Sequence, residues 1–156
     1  MKTSGLYLRL FGAAAAVVLL DQIAKQWALG ALKDGPIDLI EGVLSLRLTY
    51  NPGGAFGLLQ GLPGFFLVAT ILVIGIILIW AHRLEDPRLI VPLGMVLGGG
   101  LGNLGDRIFR DTGGRVVDFI DLHVWPVFNL ADSSIVVGVL LIMVLSARAP
   151  RVAETE

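Results

Sequence analysis

Four apolar runs, about residues 8–29, 64–80, 89–104 and 130–146, constrain what this chain can become. A helix rises 1.5 Å per residue and needs roughly 20 residues to cross a bilayer, so the three shorter runs recruit flanking residues. Within hydrocarbon every backbone N–H and C=O must find an internal partner, which makes helices of such runs. Charge content agrees. Only 16% of the 156 residues are charged and 55% are hydrophobic, whereas a soluble domain carries about a quarter charged residues. The sequence predicts an all-α membrane protein with four transmembrane helices, a single integral membrane domain over residues 1–156.

An even number of spans puts both termini on one side. Lys2 and Arg9, then Arg83 and Arg88, then Arg148 and Arg151 flank the runs on that side, and the positive-inside rule assigns it to the cytoplasm. Lys33, Arg47, Arg107, Arg110 and Arg115 fall in the outer connections and weaken this bias without reversing it. The first run is too long for the core of a cleaved leader and contains Asp21 and Lys25.

The connection between spans one and two is the least helical part. From Val43 to Asn51, Leu44, Leu46, Leu48 and Tyr50 alternate with Ser45, Arg47, Thr49 and Asn51, the period of a half-buried strand. Pro52-Gly53-Gly54 turns it, and Ala55 to Leu59 is the expected returning strand. A small extracytoplasmic β-sheet between spans one and two, within residues 37–60, follows. An ordinary outer hairpin, with Asn51 serving only the turn, fits the same residues.

Span three carries Gly94, Gly98 and Gly102 along one helix face, a small-residue stripe for close packing. It ends in Asn103, Asp106 and Arg107, which read either as a structural ion pair or as part of a site. Asp21 and Lys25 share a face of span one at i and i+4, where they neutralise each other or serve a site. Asp118 follows Val116-Val117, and Asn129 and Asp132 stand at the margin of span four. A carboxyl group at the edge of hydrocarbon costs several kcal/mol unless paired or solvated, so two together point to chemistry that needs both. Two close carboxylates do not both ionise cheaply; they share a proton and can act as acid and base. Asp121 lies three residues from Asp118 and would share its face in a helix, so the residues alone do not choose between them.

No cysteine and two separated histidines, His82 and His123, argue against a metal centre, and no cofactor is expected. A net charge of -1 gives no sign of nucleic acid as a partner. A proton-coupled transporter would also use membrane carboxylates but needs polar residues through the whole thickness of the bilayer. Here nearly all the polar groups fall at one depth, near the outer face. A structural subunit would explain the glycine stripe and leave the polar cluster without a role.

Five blocks taken together resemble one family: Asp21-x-x-x-Lys25, Asn51-Pro52-Gly53-Gly54-Ala55-Phe56-Gly57, Gly102-Asn103-Leu104-Gly105-Asp106-Arg107, Val116-Val117-Asp118-Phe119 and Phe128-Asn129-x-Ala131-Asp132-Ser133. In order and spacing they look like the motifs of lipoprotein signal peptidase, or signal peptidase II. Gly105, where a bulky aliphatic residue is expected, and Pro52 depart from the pattern. The resemblance implies an aspartyl endopeptidase of the bacterial inner membrane that removes signal peptides from diacylglyceryl-modified prolipoproteins, cutting before the lipidated cysteine. It implies Asp118 and Asp132 as the catalytic pair. Asn51, Asn103, Arg107 and Asn129 would bind substrate or hold the site, with Asp21, Lys25 and Asp106 in support. Membrane lipid and globomycin-type inhibitors are the other implied partners.

Overall fold

The computed structural model describes residues 3–53, 63–81 and 86–148. In chain order it contains α1 (Thr3–Ala31), β1 (Ile37–Ile40), β2 (Leu44–Asn51), α2 (Pro63–Ala81), α3 (Ile90–Phe109), β3 (Val116–Asp121) and α4 (Leu130–Ala147). Among the described residues three helical stretches are long and apolar enough to cross a membrane, Gly5–Ala31, Pro87–Phe109 and Leu130–Ala147. The apolar stretch of α2 described in this way is Val68–Ile79.

The glycine stripe sets how the helices pack. A Cβ added to Gly94 would stand 2.6 Å from Leu10 O, one on Gly98 2.6 Å from Ala14 O, and one on Gly102 2.7 Å from Asp21 Oδ2. Those distances are below any real Cβ contact, so the stripe is the surface on which α1 lies. Gly99 faces the other way, where a Cβ would meet Ala131 O at 2.5 Å, and Gly138 on α4 abuts Pro92 O. Close backbone approach of this kind is how helices associate where lipid offers no hydrophobic drive. α3 therefore sits between α1 and α4, with α2 packed against it. Leu10, Ala14, Ile77, Ile90, Leu93 and Leu97 form a wholly apolar core in one half of the bundle.

The sheet differs from its expected form. It has three antiparallel strands in the order β1-β2-β3, and its third strand comes from the connection between α3 and α4. The sequence reading confined the sheet to residues 37–60. Ala55–Leu59, the expected return strand, lies outside the described residues, as do Lys2, Arg83 and Arg151. Residues Leu44–Asn51 of β2 do form the strand that their alternation predicts. Thr49 pairs with Asp118 and Asn51 with Val116, while Ser45 pairs with Asp121; between Leu46 and Thr49 the register slips by one residue of β2.

Beyond β3 the chain turns back on itself. Phe128 O accepts from Phe119 N at 3.0 Å and Ile120 N at 2.8 Å, and Phe128 N donates to Ile120 O at 3.0 Å. This clasp presents Asn129 as the first cap of α4 beside the strand that carries Asp118. Phe119, with Ala28 and Leu32, seals the same strand to the end of α1.

Candidate active site

Asp118 and Asp132 reach a common amide network from different elements. Asp118 Oδ2 accepts from Asn51 Nδ2 at 2.9 Å and its Oδ1 from Asn129 Nδ2 at 2.6 Å. Asp132 Oδ1 accepts from Asn103 Nδ2 at 2.8 Å and its Oδ2 from Asn129 N at 3.2 Å. The two amides are joined, since Asn129 Nδ2 also donates to Asn103 Oδ1 at 3.1 Å. Asn129 Oδ1 accepts from Asp132 N at 2.9 Å, which completes a reciprocal capping box at the start of α4. Asn51 is held in turn by Gly53 N, which donates to its Oδ1 at 2.8 Å. Gly53 has a φ of 131°, a conformation that a side chain would strain.

A buried charge cluster stands behind these amides. Lys25 Nζ lies 2.8 Å from Asp21 Oδ2 and 3.0 Å from Asp106 Oδ2, and donates to Asn103 Oδ1 at 2.9 Å. Lys25, Asp21 and Asp106 are all wholly buried. The carboxylates also fasten the helices to their surroundings: Ala131 N donates to Asp21 Oδ1 at 3.0 Å and Val117 N to Asp106 Oδ2 at 3.0 Å. Asp21 thus ties α1 to α4, and Asp106 ties α3 to the strand of Asp118. Buried ions persist only when every oxygen and proton has a partner, a condition this cluster meets.

Asp106 and Arg107, neighbours in sequence, do not form the ion pair that the sequence allowed. Successive helix residues point about 100° apart, and Asp106 is taken by Lys25 and, at 3.0 Å, by Arg110 Nε one turn on. Arg107 Nη1 instead donates to Asn103 O at 3.3 Å, and its Nε is buried without a hydrogen-bond partner among the described residues. Asp118 and Asp121 are also separated. On a strand, residues three apart face opposite ways, and Asp121 pairs with Arg47 at 2.8 Å, away from the amide network.

All nine residues singled out in the sequence, Asp21, Lys25, Asn51, Asn103, Asp106, Arg107, Asp118, Asn129 and Asp132, gather in one place. Two participants were missed. Gln22 Nε2 donates to Asp106 Oδ1 at 3.1 Å and to Gly102 O at 3.2 Å, and its Oε1 accepts from Arg110 Nη2 at 2.8 Å. Arg110 was legible, being at i+4 from Asp106, whereas Gln22 declares itself only once α1 and α3 are packed.

The electrostatics follow from this geometry. Lys25 and Arg110 balance Asp21 and Asp106, leaving Asp118 and Asp132 opposite the guanidinium of Arg107. Burial, and after it the charge of Asp132, pushes Asp118 up to about 7, against the downward pull of the Asn51 and Asn129 amides. Asp132 lies in the first turn of α4, where its Oδ2 accepts from Asn129 N. A groove of about 390 Å³ opens on Asp132 and is otherwise lined by Ser133 and by apolar residues, among them Trp125, Phe128, Val136 and Val137.

Two carboxyl groups joined through one amide network beside an apolar groove, on apolar helices, are the arrangement of a membrane aspartic peptidase. Comparison with known proteins agrees. The sequence pattern of the signal peptidase (SPase) II family matches residues 13–148, and the chain belongs to that family. The lipoprotein signal peptidase of Rhodococcus jostii is 45% identical over 144 residues, spanning 89% of this chain and 72% of that one. The lipoprotein signal peptidase of Syntrophomonas wolfei is 44% identical over 140 residues, 88% of this chain and 92% of that one. A bacterial membrane enzyme solved by the in meso method at 2.3 Å superposes with a TM-score of 0.79 at 31% identity, covering 92% of this chain and 91% of that one.

Proposed function

We propose that this chain removes signal peptides from lipid-modified prolipoproteins, with Asp118 and Asp132 as the catalytic pair. The observation that carries this reading is the Asn103–Asn129 bridge, which holds two carboxyl groups from separate elements against one buried amide pair. Asp118 keeps the shared proton at neutral pH and Asp132, at the start of a helix, is the base. Asp132 takes a proton from water as the water oxygen attacks the scissile carbonyl, and Asp118 gives its proton to the carbonyl oxygen. On collapse of the tetrahedral intermediate Asp118 recovers its proton and Asp132 delivers the other to the leaving nitrogen. The pair ends as it began. In this reading Arg107, whose buried Nε has no hydrogen-bond partner among the described residues, binds substrate or inhibitor oxygen.

In this reading α1, α2, α3 and α4 all span the bacterial inner membrane, both termini are cytoplasmic and the pair lies near the outer face. The polar interior at one end of the bundle and the apolar core at the other support a surface reaction over a transmembrane pathway. Acyl chains on the substrate would hold the bond at that depth, each buried methylene contributing about 0.8 kcal/mol to partitioning. Globomycin-type inhibitors would compete for the same groove.

The test is cleavage of a lipidated precursor in micelles. Asp118→Asn and Asp132→Asn should each yield no product while melting as folded proteins. Asp121→Asn should slow the reaction without abolishing it. Turnover near the wild-type rate by either of the first two variants would refute the assignment.

A further inference from the structure

A second pocket, of about 320 Å³, shares Trp125 as a lining residue with the groove at Asp132. The two differ in chemistry. The groove at Asp132 runs along α4 past Val136 and Val137, whereas the second pocket is built at the sheet from Asp38, Ser45, Arg47, Asp121 and His123. Its floor is fixed: Ser45 and Asp121 are buried, Ser45 Oγ lies 3.2 Å from His123 Nε2, and Asp121 Oδ1 accepts from His123 N at 2.9 Å. His123 reaches this position with a φ of 60°, unusual for a residue with a side chain. Such a conformation persists only where its surroundings enforce it.

The substrate of a signal peptidase is also two-sided. Its signal segment is apolar and lies in the membrane, and the exported protein on the other side of the cleaved bond is polar. We propose that the pocket of Asp38, Ser45, Arg47, Asp121 and His123 is a subsite for the first residues of the exported protein, selecting against acidic side chains there. This rests on the peptidase reading above.

The sign of the selection comes from the charges. Asp121 is neutralised by Arg47 at 2.8 Å, whereas the exposed carboxylate of Asp38 has no ion pair or side-chain hydrogen bond among the described residues. One negative charge is left over in the pocket. A lysine or arginine entering it gains a partner, and an aspartate or glutamate meets repulsion. Because Asp38 is solvent-exposed, the expected discrimination is modest, about fivefold.

The experiment uses the full-length protein in micelles and two lipidated precursors that differ only in carrying lysine or aspartate immediately after the modified cysteine. The lysine precursor should have the higher kcat/KM by about fivefold. Asp38→Lys should invert that ratio. Glu41→Lys, the same change of charge at the neighbouring β1–β2 turn and outside the pocket, should leave it alone. A ratio that Asp38→Lys does not move, or that Glu41→Lys moves as far, would overturn the subsite. Failure of the wild-type protein to cut either precursor would instead sink the peptidase reading, and the subsite with it.

Discussion

Asn129 donates through Nδ2 to Asp118 Oδ1 over 2.6 Å, and the same residue caps the helix on which Asp132 begins. One side chain therefore fixes both the separation of the carboxyl groups and the direction of α4. Replacing it by alanine removes a cap, worth about 1 kcal/mol, and frees Asp118 to move. Misplacement of a reacting group by about 1 Å can cost roughly a hundredfold in rate. Asn129→Ala should lose about that much kcat. Asn129→Ser restores a capping oxygen but no amide donor, so it should recover part of the lost stability and none of the rate. Parallel melting and steady-state kinetics separate the two effects; recovery of rate by serine would show that Asn129 acts only as a cap.

Lys25 serves two carboxylates and one amide at once. Lys25→Met would leave Asp21 and Asp106 facing each other in a dry interior, a situation that costs about 3–5 kcal/mol when one partner of a buried pair is removed. The variant should melt far below the wild type in the same detergent. Adding Asp21→Asn to Lys25→Met should cost less than the sum of the two single changes, because among the described residues Asp21 has its ion pair with Lys25 alone and the second substitution removes the charge the first left stranded. Strict additivity in that cycle would mean that the two residues are not coupled.

The glycines of α3 make contrasting predictions about two turns apart. Gly98 has no room for a Cβ against Ala14 O at 2.6 Å, whereas nothing lies within 4 Å of a Cβ built on Gly105. Gly98→Val should force α1 off α3 and destabilise the protein together with its site. Gly105→Ala should stabilise it by up to about 1 kcal/mol, the helix-propensity difference. Thermal melting of both decides this, and a destabilised Gly105→Ala would mean that the end of α3 needs its glycine for some other reason.

Local pattern explains how much of this was legible in the sequence. The apolar runs located the helices, and strict alternation located β2, because burial on one face imposes its period on the residues. β3 was not visible as a strand. Val116-Val117-Asp118-Phe119 is buried on both faces and shows no alternation, so its sequence does not distinguish strand from helix. That gap is why Asp121 remained a rival to Asp118 until the strand put them on opposite faces. The partners of Asp106 were hidden for a different reason. Adjacency suggested Arg107, but Lys25 is brought to Asp106 only by the close packing of α1 on the glycine face of α3.

The orientation in the membrane yields a labelling experiment. If the loop before α3 is cytoplasmic and the sheet is outside, cysteines at Asp38 and Asp111 should react with a membrane-impermeant thiol reagent on intact spheroplasts, and one at Arg88 should react only after lysis. Arg88 and Asp111 are exposed and stand at opposite ends of α3, so they report the two sides of one spanning helix. Labelling at Arg88 from outside would invert the topology and move the carboxylate pair to the inner face.

The protonation of Asp118 makes the pH dependence specific. With its carboxyl pushed up to about 7 by burial and then by Asp132, Asp118 gives up its proton as pH rises through that value. Activity should fall about tenfold per unit on the alkaline side, with an apparent value belonging to the coupled pair. Asn51 donates to Asp118 Oδ2 at 2.9 Å and so favours the ionised form. Asn51→Leu removes that donor, and the alkaline limb should move to higher pH even as kcat declines. Stability follows the same sign. A carboxyl group that binds its proton more tightly folded than unfolded contributes most below the unfolded value, and that contribution disappears as pH rises through about 7. The wild-type protein should therefore melt lower at pH 8 than at pH 5, and Asp118→Asn should flatten the difference. An alkaline limb that Asn51→Leu leaves in place, or moves downward, would show that Asp118 does not hold the proton that the reaction requires.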